Sequence, residues 1–208
     1  MYSNKLLVSA RPKCEIGKSD KQHVVFVFVN NHRGAVGVVL NGGSFGSLTS
    51  LHLKDVFNTP EGNFTKTKEM ILEKRFDEVP LYYGGPAKTE GIYFLHSYQR
   101  FSKVTRKDHD PAHFDIFDES VPDNEIFGGL YFGSPFTFAH IVESDVLDSS
   151  KFRFYTGQCK WNPAQLETEV AAGYWKMVDP EVEYFFDDRA CEALLLEAQE
   201  GPLKHSLN

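Results

Sequence analysis

The chain has 208 residues, enough for one large domain or two small lobes, and its 41% hydrophobic content with 18 Phe and 9 Tyr supports an aromatic-rich core and excludes disorder away from the ends. A formal net charge of −7 disfavours attraction to a polyanion, so direct nucleic-acid binding and attachment to an anionic membrane are not expected. Cys14, Cys159 and Cys191 are odd in number and far apart, the first residues lack a signal-peptide pattern, and no stretch approaches the roughly 20 apolar residues of a membrane span; a soluble, cytoplasmic protein without a disulfide framework is expected.

In chain order, Lys5 to Ser9 predicts a short strand, and His23 to Val29 (HVVFVFV) predicts a strand buried on both faces. Asn30 to Gly34 is a turn cluster before a second apolar strand, Ala35 to Leu40, so the two are expected to form a hairpin. Asn41 to Ser50 reads as a Gly/Ser loop, and Ser50 is a candidate cap for a short helix through Phe57. Thr59 to Glu78 is polar, with no firm periodicity beyond a helical turn near Met70. Val79 to Tyr83 and Ile92 to His96 read as strands joined by GGPAKTEG.

Residues 97–124 are long, polar and broken by Asp110-Pro111 and Val121-Pro122, which predicts a mobile excursion. Ile126 to Phe132 is strand-like, and Ser134-Pro135 opens a helix to about Leu147. Lys151 to Cys159 alternates and is aromatic, hence a strand. Asn162 as N-cap, Pro163 as first helical residue and Gln165 reaching back to the cap's N–H predict a helix from Pro163 that stops at Gly173. A strand pair at Tyr174 to Val178 and Val182 to Phe186, a terminal helix from Asp187 and a frayed tail at 202–208 complete the chain. One α+β domain over residues 1–208 is favoured, with two lobes as the alternative.

Four constellations invite chemistry. Gly42-Gly43-Ser44-Phe45-Gly46 matches the nucleophile elbow of serine hydrolases, but an elbow needs a helix at once, and here Ser47 to Thr49 extend the loop. His109 and His113 have metal-ligand spacing, yet Pro111 lies between them and no third ligand is specified; a polar loop is the better reading. Tyr83-Gly84-Gly85-Pro86 allows close approach of backbone to a ligand, or only a turn. His32 and His96 stand at strand boundaries, where each is a candidate acid/base or a surface histidine. The only cationic cluster, Arg100, Lys103, Arg106 and Lys107, runs into Asp108 and Asp110 and reads as a solvated loop. No metal set and no cofactor fingerprint appears, so no cofactor is expected.

Leu6-Leu7-Val8 with Pro12, the valine-rich strand, His32 to Asn41 (HRGAVGVVLN), Tyr83-Gly84-Gly85-Pro86, Leu95-His96-Ser97, and Gly157 with Trp161, Pro163, Gln165-Leu166-Glu167 and Trp175, in this order, resemble the bacterial YqgE/AlgH family over most of the chain. The resemblance implies an α+β fold with a bifurcated mixed β-sheet that includes a small closed β-barrel, flanked by helices. Members are often labelled transcriptional regulators, by association with control of exopolysaccharide production, and the resemblance implies no catalytic residue and no cofactor. This chain departs from the family pattern where Gly42 and Gly43 replace a basic residue and Pro, and where Lys160, Asn162 and Ala164 replace glycines around Trp161.

Together these readings nominate His32, Asn41, Gly84, Gly85, Pro86, His96, Gly157, Trp161 and Gln165 as a candidate ligand-binding set, with Asn41, Gly85, His96, Trp161 and Gln165 expected to converge on one pocket. The favoured function is a regulatory or interaction protein that contacts an unknown protein partner or small ligand rather than DNA. The alternative is an enzyme acting on a small anionic substrate, with His32 or His96 as acid/base and the helix start near Pro163 holding the anion.

Overall fold

A computed structural model describes residues 2–10, 22–47, 79–97, 124–133 and 148–200. The expectations placed on 50–57, 59–78, 98–123, 134–147 and 202–208, His109, His113, the cationic cluster and Cys14 among them, lie outside the described residues. Among the described residues ten strands are formed, β1 (Lys5–Ser9), β2 (Val24–Asn31), β3 (Gly34–Val39), β4 (Ser44–Ser47), β5 (Pro80–Tyr83), β6 (Ala87–His96), β7 (Asn124–Phe127), β8 (Leu130–Gly133), β9 (Phe152–Trp161) and β10 (Trp175–Val178). Helix α1 (Gln165–Ala171) stands between β9 and β10, and α2 (Asp188–Glu200) follows β10. The fold is α+β with a mostly antiparallel sheet: among the described residues, the pairs β1–β10, β1–β2, β2–β3, β3–β9, β4–β5, β6–β8 and β7–β8 are all antiparallel.

The chain divides into two compact units. The first holds the described residues of Met1–Gly43, Tyr83–Thr89 and Gly157–Asn208, with strand order β10-β1-β2-β3-β9. Strand β2 is its centre, as the run of β-branched and aromatic residues predicts. On one face Val25 and Val27 join Leu7, Ala35, Val39, Cys159, Trp161, Leu166 and Trp175 in a buried cluster. On the other face Phe26 meets Phe185 edge to face, with ring centroids 4.8 Å apart. Phe185 belongs to a 3₁₀ turn, Val182–Phe185, where a strand was expected. Tyr184 and Phe185 are both buried there, and consecutive inward side chains suit a helical turn rather than the alternation of a strand. Helix α2 packs on β1 and on this turn, burying Cys191, Leu194 and Ala198.

The second unit holds the described residues of Ser44–Tyr82 and Glu90–Thr156. Its strand pairs make a path β4-β5-β9-β6-β8-β7, and among the described residues no pair joins the ends of that path into the closed barrel that the resemblance implies. Two segments differ from expectation. Ser44 to Ser47 is a strand paired with β5, not part of a loop, so Ser44 sits in an extended ladder rather than on a nucleophile elbow. Ile126 to Phe132 is not one strand but spans the β7–β8 hairpin, because Gly128 and Gly129 both take positive φ (52° and 89°) and make the two-residue turn that strand twist favours. Strand β6 also begins earlier than expected, at Ala87, which leaves only Gly84–Pro86 as the connection from β5.

Aromatic rings fill this unit. Tyr93 stacks on Phe132 and Tyr155, Phe94 contacts Phe152 and Phe154, and the buried Arg153 guanidinium lies 3.8 Å from the centre of the Tyr82 ring. Strand β8 ends at Gly133, opposite Phe94, and the Phe94 ring occupies the space that a Cβ on Gly133 would need. Gly133→Ala therefore overpacks the core and is expected to cost about 1–3 kcal/mol in urea unfolding. An unchanged midpoint would mean that the ring does not rest on this glycine.

Candidate functional site

Strand β9 ends at Trp161, paired with Ala35, and the chain then reverses sharply. The Asn162 carbonyl accepts a hydrogen bond from the Gln165 N–H at 3.0 Å, enclosing Pro163 and Ala164. Ala164 has φ 62° and ψ −2°, the third-position geometry of a type II turn, which calls for glycine. The helix accordingly starts at Gln165 and not at Pro163, and Asn162 does not cap it through its side chain. The expected reach of Gln165 is present: its Oε1 accepts from the Asn162 N–H at 3.0 Å. Helix α1 has only seven residues and closes at Gly173, φ 73°, with Tyr174 N–H bonded to the Glu169 carbonyl and Gly173 N–H to that of Val170. The helix start near Pro163 that the enzymatic alternative assigned to an anion is therefore a turn, with the first helical residue at Gln165.

One carboxylate ties these elements together. Glu169 Oε2 accepts from the indole N–H of Trp161 at 3.0 Å and from that of Trp175 at 2.8 Å, and its Oε1 accepts from the Gln165 amide at 2.9 Å. The indoles meet edge to face at 6.4 Å, one from β9 and one from β10, both in the buried cluster. A second tie joins Glu167 Oε1 to the buried Asn30 amide at the end of β2 (3.2 Å). Gly34, φ 123°, lets the β2–β3 turn lie against the backbone of Trp161 and Asn162, where a Cβ would collide. That turn exposes His32 and Arg33, with Arg33 N–H donating to Asn31 Oδ1 at 2.8 Å.

The other candidates are placed differently. Asn41 lies past the opposite end of β3 from Gly34, and both ends of its side chain are engaged, with the start of β2 and the residue two before it: Oδ1 accepts from Val24 N–H at 2.8 Å and Nδ2 donates to the Gln22 carbonyl at 3.0 Å. Ala35, beside Trp161, is six residues from Asn41, up to roughly 20 Å of extended chain. Gly84 and Gly85 are buried against β9: the Gly84 carbonyl accepts from Val39 N–H at 2.8 Å, and a Cβ on Gly85 or Gly157 would run into the other segment's backbone. Pro86 follows them, exposed. His96 belongs to the second unit and is fully buried, stacked on Tyr131 at 5.4 Å and beside Phe94 and Phe152. The structure thus brings Trp161 with Gln165, and Gly84 with Gly85 and Gly157 at the end of β3 that Asn41 follows, where Val39 N–H donates to the Gly84 carbonyl and Gly42 lies against that of Tyr83; His96 belongs to the second unit.

Two residues carry more of the site than their sequence context suggests. Glu169 looks like a surface acid off the apolar stripe; only its spacing of four from Gln165 hints at a shared face. Gln158 precedes Cys159 on β9, and its buried Oε1 meets no hydrogen-bond donor among the described residues. Cys159 itself is buried beside the Gly84 carbonyl, and burial, with the Glu169 charge adding to it, pushes its thiol well above the ordinary range. Among the described residues no group of His, Cys, Asp and Glu is arranged to hold a metal ion, and no helix is long and apolar enough to cross a membrane.

The model of the AlgH-like family (DUF179) matches residues 10–199. The chain belongs to that family. It is 25% identical over 189 residues to a UPF0301 protein of Chlorobium phaeobacteroides, covering 90% of this chain and 80% of the relative, and 28% identical over 191 residues to one from Chlorobaculum parvum, with the same coverage. Its fold is similar to the solution structure of the AlgH protein of Pseudomonas aeruginosa (TM-score 0.59, 20% identity, 97% of this chain and 90% of that one). It is similar also to the crystal structure of protein DIP2367 of Corynebacterium diphtheriae (TM-score 0.57, 16% identity, 98% and 89%).

Three outcomes follow for this AlgH-like chain. Glu169→Ala strands two part-buried indole donors and is expected to cost about 2–4 kcal/mol in denaturant unfolding, with Glu169→Gln losing less because its carbonyl still accepts. Ala164→Gly relieves the left-handed alanine and should add up to about 1 kcal/mol; a loss would mean that the turn is not strained. A thiol that ionises less readily when folded contributes stability that is complete below the ordinary thiol range and is lost as pH rises, because the unfolded chain alone releases its proton. Urea unfolding should therefore weaken between about pH 8 and pH 10, and less so in Cys159→Ala; equal slopes would contradict the buried thiol.

Proposed function

We propose that this chain is a regulatory or interaction protein that acts by binding, through the exposed surface formed by the His32–Arg33 hairpin turn and the Asn162–Gln165 turn. The observation that carries the reading is Ala164, an exposed alanine in left-handed geometry at the tip of a turn whose flanks are tied down by Glu169. Backbone strain of this kind costs about 1–3 kcal/mol and persists where the surroundings impose it, and it collects at binding sites. A surface already held in one conformation also surrenders less entropy to a partner. The polar atoms of Trp161, Trp175 and Gln165 are engaged in holding the turn, which supports presentation of a surface over turnover. Gln158 supports the small-ligand side of the proposal: its buried carbonyl is the acceptor that a ligand's N–H or O–H, or a water, would satisfy.

The net charge of −7 argues against contact with an operator, so a regulatory role runs through protein or small-ligand contacts. His96 has no exposed surface, which argues against proton transfer to a dissolved substrate. The buried thiol of Cys159, in no disulfide among the described residues, supports a reducing, cytoplasmic setting. A photo-crosslinking amino acid in place of Arg33 or Asn162 in the full chain should capture a discrete partner in cells, whereas the same group at the exposed Glu192 of α2 should not. Equal capture from Glu192, or a salt-sensitive complex with duplex DNA in a titrated binding assay, would contradict the proposal.

A further inference from the structure

We infer that Asn41–Gly42 is a site of spontaneous covalent modification, deamidation through a cyclic imide, which the folded chain holds in check. The chemistry needs only the two residues and water. The Gly42 backbone nitrogen attacks Asn41 Cγ; the N–Cγ bond forms, the Cγ–Nδ2 bond breaks, and ammonia leaves carrying the proton from the Gly42 N–H. Water then opens the imide at either carbonyl, leaving Asp or isoaspartate at position 41. No oxidant or reductant takes part. Glycine after asparagine favours this attack because no Cβ shields the nitrogen.

The structure supplies both the liability and the restraint. Gly42 is not free to change, because a Cβ there would collide with the Tyr83 carbonyl. The Asn41 carboxamide is held at both atoms, by Val24 N–H on Oδ1 and the Gln22 carbonyl on Nδ2, and so extends the β2–β3 ladder beyond the Leu40 N–H bond to the Val24 carbonyl. To reach the Gly42 nitrogen, Cγ must leave both bonds, so the reaction waits for the end of β3 to open. The product cannot return. An aspartate at 41 sets a charged oxygen where the amide donor faced the Gln22 carbonyl, and isoaspartate adds a methylene to the backbone beside it. The modification is therefore one-way and leaves this end of the ladder looser than before.

The test incubates the full chain at mildly alkaline pH, folded and in urea, and follows conversion of Asn41 by peptide mapping with mass spectrometry. A short peptide of residues 36–46 serves as the unstructured control. Conversion in the folded chain is expected to be at least about tenfold slower than in urea, where it should match the peptide. Asn41→Asp should melt at a lower temperature than the unmodified chain, and Asn41→Gln, whose longer side chain closes a ring less readily, should stay unconverted under all conditions. Equal rates folded and unfolded, no conversion in urea while the peptide converts, or an unchanged melting temperature for Asn41→Asp would each overturn the inference.

Discussion

A single carboxylate sets the geometry of the first unit's most elaborate corner. Glu169 stands on a helix too short to be stable by itself, since seven residues fall well below the length at which helix propagation repays nucleation. What fixes α1 is therefore tertiary: Leu166 in the core, and Glu169 accepting both indole N–H groups, one from each flanking strand. Without an acceptor between them, Trp161 and Trp175 would bury donors at a cost comparable to what their rings contribute. With it, two large side chains, the helix and two strands are mutually positioned, and the Gln165 amide passes the constraint on to the Asn162 backbone.

The exposed turn inherits its conformation from this arrangement. Ala164 would not choose the left-handed region alone, and a chain free to relax would relieve it. Because Gln165 and Trp161 are anchored on either side, the strain stays at the surface, beside His32 and Arg33, where it does not disturb the core. The other end of the same strands is built on a different principle. There Asn41 substitutes its side chain for a strand's backbone, and the glycines at 84, 85 and 157 let two backbones touch. One end presents a stiff surface; the other closes the ladder.

How much of this is legible in the sequence differs from residue to residue. The valine-rich β2, the β2–β3 hairpin, the Gly173 stop, the α2 helix and the reach of Gln165 all follow from local rules, because each depends on residues within a few positions. The start of α1 does not. Asn162-Pro163 is good capping grammar, but the strand pairing that pins Trp161 and the bond from Gln165 to Asn162 impose a type II turn, and tertiary context overrides the cap. Val182 to Phe186 has strand composition, yet its inward residues are adjacent rather than alternate. Gly128-Gly129 is a turn signal inside an apolar run, and there the apolar run misleads. Glu169 is the hardest to foresee: its partners lie eight residues before it and six after it, and only the strand-helix-strand path brings them to one carboxylate. Family motifs locate Trp161, Gln165 and Trp175, and physics then supplies the reason that they occur together.

The most direct test of this account is a double-mutant cycle between Glu169→Ala and Trp175→Phe, the second of which keeps an aromatic ring but removes the indole donor; the packing lost with the second ring enters both arms of the cycle and cancels in the coupling energy. If the carboxylate and the indole N–H are energetically joined, the two losses in unfolding free energy should fall short of additivity by about 1 kcal/mol or more. Simple additivity would mean that Glu169 does not bind the indole, and that some other interaction holds α1 and the turn in place.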